Sequence, residues 1–186
     1  MQDVIQGFNR SVAELGQVAR RLDPAGIEAF VAAIVRAKRV FLIGAGREGL
    51  STRAFAMRLT HLGKEAHWVW DDTTPGIGAG DLLIATSGSG SIGHIDYVFD
   101  RAAAAGAETA VVTGDPSGVT AGKAKTLLFL PAAVYKGRAE VVPSAQPMGN
   151  LFEQALLILF DQIAIALAGE LGVSKDAMSA RHRNVE

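Results

Sequence analysis

With 186 residues, 49% of them hydrophobic and 20% charged, the chain is long enough for one domain with a substantial core. A formal net charge of −1 supplies no electrostatic reason to bind nucleic acid or an anionic membrane, and the lack of cysteine excludes disulfides, thiolate catalysis and thiolate metal sites. The N-terminal MQDVIQGFNR has no unbroken apolar h-region, so no signal peptide is expected and the cytoplasm is the default location.

From Gln2 to Leu22 the apolar residues Val4, Ile5, Phe8, Val12, Leu15 and Val18 recur at helical spacing and predict an amphipathic helix. Asp23 and Pro24 then form an N-cap and N1 pair, which predicts a second helix to about Ala37. Neither helix carries recognisable chemistry, and their expected task is packing on the sheet or on another subunit. From Arg39 onward, strands near 39–43, 66–70, 81–85, 109–113 and 126–130 alternate with helices near 48–62, 92–105, 117–123 and 148–168. That alternation predicts an α/β three-layer sandwich of the flavodoxin or Rossmann kind, with a five-stranded parallel sheet preceded by the N-terminal helices. The whole chain reads as a single domain: helices over 1–37, an α/β core over 38–170 and a polar C-terminal tail over 171–186. The apolar run from Ala155 to Ala168 is shorter than the roughly 20 residues of a membrane span, and Asp161 and Gln162 interrupt it, so it reads as a buried core helix.

Two turns carry the candidate chemistry. After the first strand, Gly44-Ala45-Gly46-Arg47-Glu48-Gly49 satisfies G-x-G-x-x-G, which reads either as a dinucleotide site, with Glu65 or Asp71 on the ribose, or as one wall of a small-ligand site. In the second reading Gly46 and Arg47 lie against the ligand and Arg47 offers a charged donor to a phosphate or sugar oxygen. The length of the chain, and the Asp71 to Gly80 loop that stands where a helix should follow the second strand, count against a dinucleotide. After the third strand, Thr86-Ser87-Gly88-Ser89-Gly90-Ser91 opens into a helix. It is either a plain surface turn or an anion site, in which free N–H groups and the hydroxyls of Ser87, Ser89 and Ser91 hold the ligand. No lysine lies within or just after it, so a phosphate ester smaller than a nucleoside triphosphate suits it better.

Glu153 stands in the first turn of the most apolar helix, where burial raises a carboxyl pKa and the helix N-terminus lowers it. That setting suits a general base, and equally an ordinary first-turn glutamate. Of the four histidines, His61 and His67 read as structural or exposed, His94 follows the Gly/Ser turn, and nothing in the local sequence singles out His182 in the polar tail. No pair of them has metal-ligand spacing, and neither a metal nor an organic cofactor is expected.

Taken together, a strand ending in GAGR, the helix FAMRLTHLG, the turn SGSG after a DLLI strand, the segment QPMGNLFEQ and a C-terminal RH-x-N-x-E resemble the 6-phospho-3-hexuloisomerases of the sugar isomerase (SIS) domain fold. The resemblance covers nearly the whole chain from about residue 40. It implies interconversion of 3-hexulose 6-phosphate and fructose 6-phosphate, the step after formaldehyde fixation in the ribulose monophosphate pathway. It also implies a phosphate held by Ser87, Ser89 and the neighbouring amides, Glu153 as the base, and a homo-oligomer, a tetramer being favoured. His182, by the same resemblance, comes from a neighbouring subunit to assist ring opening or proton movement. The chain departs from the family pattern SGSGET, having Ser91 and Ile92 in the last two positions, and it has Glu48 where many members have a small residue. Two other readings of the same fold are a phosphosugar-binding sensor without chemistry and a different sugar-phosphate isomerase.

Overall fold

The structure is a computed structural model and describes residues 2–185. It opens with two helices, α1 (Gln2–Arg20) and α2 (Pro24–Arg36). Asp23 caps α2 as its position predicts, accepting hydrogen bonds from the amides of Ala25 and Gly26 at 3.1 Å each, with Pro24 in the first turn. Five strands and four more helices follow: β1 (Arg39–Gly44), α3 (Gly46–His61), β2 (Glu65–Trp68), β3 (Leu82–Thr86), α4 (Gly93–Ala104), β4 (Glu108–Thr113), α5 (Val119–Lys123), β5 (Thr126–Phe129) and α6 (Asn150–Glu170). The strands form one parallel sheet in the order β2-β1-β3-β4-β5.

Alternation along the central strands builds the three layers. Val40, Leu42, Leu82, Ile84, Ala110 and Val112 turn to one face, where they meet Phe30 of α2, Phe55 of α3 and Phe160 of α6. Phe41, Ile43, Leu83, Ala85 and Val111 turn to the other and meet Ile95 and Phe99 of α4 and Ala121 of α5. Strand order reverses between β1 and β3, so their two connections leave on opposite faces of the sheet. A crevice therefore opens at the carboxyl ends of those two strands, which is where open α/β sheets bind ligands.

Several boundaries differ from the sequence expectation by one or two residues. The second strand stops at Trp68 rather than at residue 70, because the chain turns there, with Asp71 N–H donating to the Trp68 carbonyl at 3.0 Å. Helix α3 starts at Gly46, two residues early, and α6 starts at Asn150, two residues late, after Met148 takes a left-handed φ of 58°. At 21 residues α6 is long and apolar enough to cross a membrane by length and composition, longer than the apolar run alone implied. Half of that window is buried inside the fold, with Leu151, Phe152, Leu156, Phe160 and Ile163 in the core. The tail is also more ordered than its polarity suggested. It contains α7 (Lys175–Ala180), capped by Ser174 Oγ, which accepts from Ala177 N–H at 3.1 Å, while Val173 and Met178 pack against the core.

Candidate active site

Gly44 and Thr86, the last residues of β1 and β3, are partners in the sheet register and form the floor of the crevice. A side chain at Gly44 would collide with Thr86 Oγ1 and come within 3.0 Å of the Gly49 backbone. Two glycines of the G-x-G-x-x-G turn therefore serve the close packing of strand on helix. Thr52 Oγ1 on α3 lies 2.7 Å from Thr86 Oγ1 and donates to the Glu48 carbonyl at 2.7 Å, with both threonines fully buried. Gly46 is the exposed first residue of α3.

The turn after β3 is tied into the sheet edge. Ser87 N–H donates to the Val112 carbonyl at 3.1 Å, Gly114 N–H to the Gly88 carbonyl at 3.0 Å and Thr120 N–H to the Gly90 carbonyl at 2.8 Å. Gly90 has φ 65°, and a Cβ there would lie 2.5 Å from the Asp115 carbonyl oxygen, so only glycine fits. Ser87 is fully buried, and its hydroxyl has no hydrogen-bond partner in the protein. Ser89 is partly buried, its Oγ accepting a long 3.4 Å bond from Ser91 N–H. Ser91 is exposed, and its Oγ accepts from Val119 N–H at 2.9 Å, so this hydroxyl already joins the turn to the start of α5.

Across the crevice, α3 and α6 present their first turns to each other. Arg47 Nη1 donates to Asn150 Oδ1 at 2.6 Å and lies 3.1 Å from Glu153 Oε2. That second contact is an ion pair without hydrogen-bond geometry, so Glu153 Oε2 is buried with no hydrogen bond. The Glu153 side chain is only 16% exposed, which shields the carboxylate from bulk water while one edge stays open to the crevice. Ser51 Oγ, on α3, donates to the Glu153 carbonyl at 3.4 Å.

Beside this pair sits a second carboxylate. Glu48 Oε2 accepts a 2.8 Å hydrogen bond from Gly88 N–H in the opposite turn. Burial pushes its carboxyl up to about 7, the Gly88 amide pulls it down, and the negative charge of Glu153 raises it again. Two carboxylates with unequal surroundings, one beside a guanidinium and one without a cation, are a common arrangement for proton transfer.

The chain resembles known proteins over nearly its whole length, although no protein-family model matches it. The 3-hexulose-6-phosphate isomerase of Mycobacterium gastri is 37% identical over 184 residues, covering 99% of this chain and 92% of that protein. The chain belongs to the 3-hexulose-6-phosphate isomerase family. A family member from Bacillus subtilis is 33% identical over 153 residues, covering 82% of this chain and 83% of its own. Among solved structures, a Methanococcus jannaschii protein described as inferring a molecular function of 3-hexulose-6-phosphate isomerase superposes with a TM-score of 0.82 at 26% identity, over 99% of both chains.

Within this family member, the structure brings Arg47, Ser87, Gly88, Ser89 and Glu153 to one crevice and leaves His182 elsewhere. The His182 ring is exposed and lies 5.3 Å from His61, at the carboxyl end of α3. Glu153 packs at the amino end of the same 16-residue helix, a separation of roughly 20 Å at 1.5 Å per residue. His94 is exposed and lies beside Trp70, with the two ring centroids 6.2 Å apart. Glu186 of the C-terminal motif lies outside the described residues. The carboxylates of the dinucleotide reading are engaged elsewhere, Asp71 with Arg53 at 2.9 Å and Glu65 with His67 at 3.0 Å. Among the described residues no group of three or more histidine, aspartate or glutamate side chains is placed to hold a metal ion.

Sequence reasoning noted Glu48 only as a departure and missed its contact with Gly88. The available signal was a carboxylate two residues after the second glycine of G-x-G-x-x-G, but its partner lies forty residues away across the sheet.

Proposed function

We propose that the chain interconverts D-arabino-hex-3-ulose 6-phosphate and fructose 6-phosphate by proton transfer through an enediolate, without a cofactor. The observation that carries this reading is Glu153: a shielded carboxylate in the first turn of α6, with an oxygen that makes no hydrogen bond, in the crevice that also holds the Gly/Ser turn. Family membership supports the choice of substrate.

In this mechanism Glu153 removes the C2 proton of the 3-ketose, acidified by the C3 carbonyl, and the electron pair forms an enediolate across C2 and C3. The same carboxyl returns the proton to C3 while the hydroxyl proton passes from O2 to O3, and one base suffices for the carbon-bound proton because the two carbons are neighbours. Ser87, Gly88 and Ser89 hold the phosphate. Arg47, backbone N–H groups and His182 of a neighbouring subunit stabilise the charge that develops on the oxygens.

The chain works as one SIS domain in a homo-oligomer, a tetramer being favoured, in the cytoplasm and in formaldehyde assimilation. Assembly is supported by α1, which exposes Val4, Ile5, Phe8 and Val12 on one helical stripe, and by Ile158 and Ile165 of α6, which are also exposed. Placing His182 in the site also requires a second subunit, given its distance from Glu153 within one chain.

Proton NMR of fructose 6-phosphate with the purified protein in D2O tests the reading. Deuterium at C3 together with a new 3-ketose signal is the expected result. Exchange at C1 would mean an aldose–ketose isomerase, and no exchange would leave a phosphosugar-binding protein.

A further inference from the structure

The Gly/Ser turn is not free to receive an anion as it stands, because a carboxylate from the neighbouring helix already takes one of its amides. We propose that Glu48 is an internal anion that competes with the phosphate of the substrate for the Gly88 amide, and so sets the strength with which this site takes a dianion. This rests on the reading of the turn after β3 as the phosphate site.

Three observations carry it. Glu48 Oε2 accepts from Gly88 N–H at 2.8 Å, the length of a charge-assisted bond, and Oε1 lies over the same residue, 2.8 Å from where a Cβ would stand. The fully buried Ser87 hydroxyl next to that amide has no partner in the protein. Among the described residues, no cation forms an ion pair with Glu48.

The groups around Glu48 are few. On α6 it faces Glu153, and on its own helix Arg47 is turned to Asn150 and Glu153. From Thr86 to Ser91 the turn has no ionisable side chain. Asp115, after β4, is taken up by Ser117 and by the Arg138 amide. The segment after β5 presents the apolar Val134 to Gly88 and carries Lys136 and Arg138 further on.

A charged Glu48 therefore meets an incoming dianion with like charge and with a charge-assisted hold on the donor, whereas a protonated Glu48 has lost the charge and holds the amide only through a weaker, neutral bond. Burial already places that titration near neutral pH. Binding of an anion in the turn is thus coupled to uptake of one proton, and affinity falls as pH rises through this range.

Sulfate is the probe, because it stays a dianion across the range while phosphate changes charge. Titrated calorimetrically into the full chain, sulfate that fructose 6-phosphate displaces should bind about ten-fold or more weakly at pH 8.5 than at pH 5.5. E48Q keeps an acceptor for the Gly88 amide without the charge, and should bind sulfate with little pH dependence and as tightly at pH 8.5 as the wild type does at low pH. E48S, which removes the carboxylate and opens the space, should behave likewise, and melting curves verify that both variants fold. Equal pH dependence in the wild type and both variants would overturn the role of Glu48 while leaving the phosphate turn in place. Sulfate binding that fructose 6-phosphate fails to displace, or none in any of the three proteins, would overturn the phosphate turn and the proposal with it.

Discussion

The two ends of α3 hold oppositely charged kinds of group in similar surroundings. At the amino end burial pushes the Glu48 carboxyl up to about 7, and at the carboxyl end burial, with help from His182 and Arg58, pushes the His61 imidazole below its usual value. Both shifts favour the uncharged form, yet the two ends are finished differently. At the His61 end the tail supplies partners, Arg181 Nη1 donating to the His61 carbonyl at 3.1 Å and the His182 ring lying 5.3 Å from the His61 ring. The Glu48 end keeps unsatisfied polar atoms, Ser87 Oγ and Glu153 Oε2, in a crevice between sheet and helices. A buried ionisable group is thus weak evidence of function by itself. Buried groups with donors and acceptors left over, at a place where the topology opens, are stronger evidence.

The sharpest way to break the comparison is to disable one end at a time. Glu153→Gln should lower kcat by about 10² to 10⁴-fold, the range of general-base catalysis, in a protein that melts normally. Near-normal turnover would remove Glu153 as the base. His182→Gln should cost about 10²-fold, and mixing it with Glu153→Gln subunits should restore activity if each site draws the two residues from different chains. Failure to recover activity in mixed assemblies would leave His182 with the tail it packs in.

The smallest expected effect is on stability. Glu48 holds its proton up to about pH 7 when folded and gives it up near its ordinary value of 4.5 when unfolded. The folded state therefore binds more protons between those values, so stability falls as pH rises through the window and the full penalty is present above it. Glu48→Gln should accordingly be more stable than the wild type at pH 8, by up to about 3 kcal/mol, and should converge with it near pH 4. Urea denaturation at the two pH values measures the difference, and an equal offset at both would show that the carboxyl is not shifted.

Most of the scaffold was legible because it is written locally. The apolar runs at Val40 to Ile43 and Leu82 to Ala85, the Asp23–Pro24 cap and the Gly/Ser turn all declare themselves within a few residues. The C-terminal helix was not legible, because Lys175–Ala180 is polar and its order comes from Ser174 and from Val173 and Met178 reaching the core. Glu153 could be singled out by its place ahead of an apolar run, while its ion pair with Arg47 depends on how α3 and α6 meet. The same holds for Ser91, whose Oγ accepts from the Val119 amide, twenty-eight residues on, and keeps its own hydrogen to donate.

The buried threonine pair has a direction. A hydroxyl has one hydrogen to give, and Thr52 gives its own to the Glu48 carbonyl, so in the 2.7 Å contact between the two hydroxyls Thr86 must be the donor. The last residue of β3 is thereby joined through a one-way relay to the backbone of the residue whose carboxylate reaches back to Gly88, just beyond that strand. Strand, helix and turn close into a loop of bonds, and a shift in any one of them is passed to the other two.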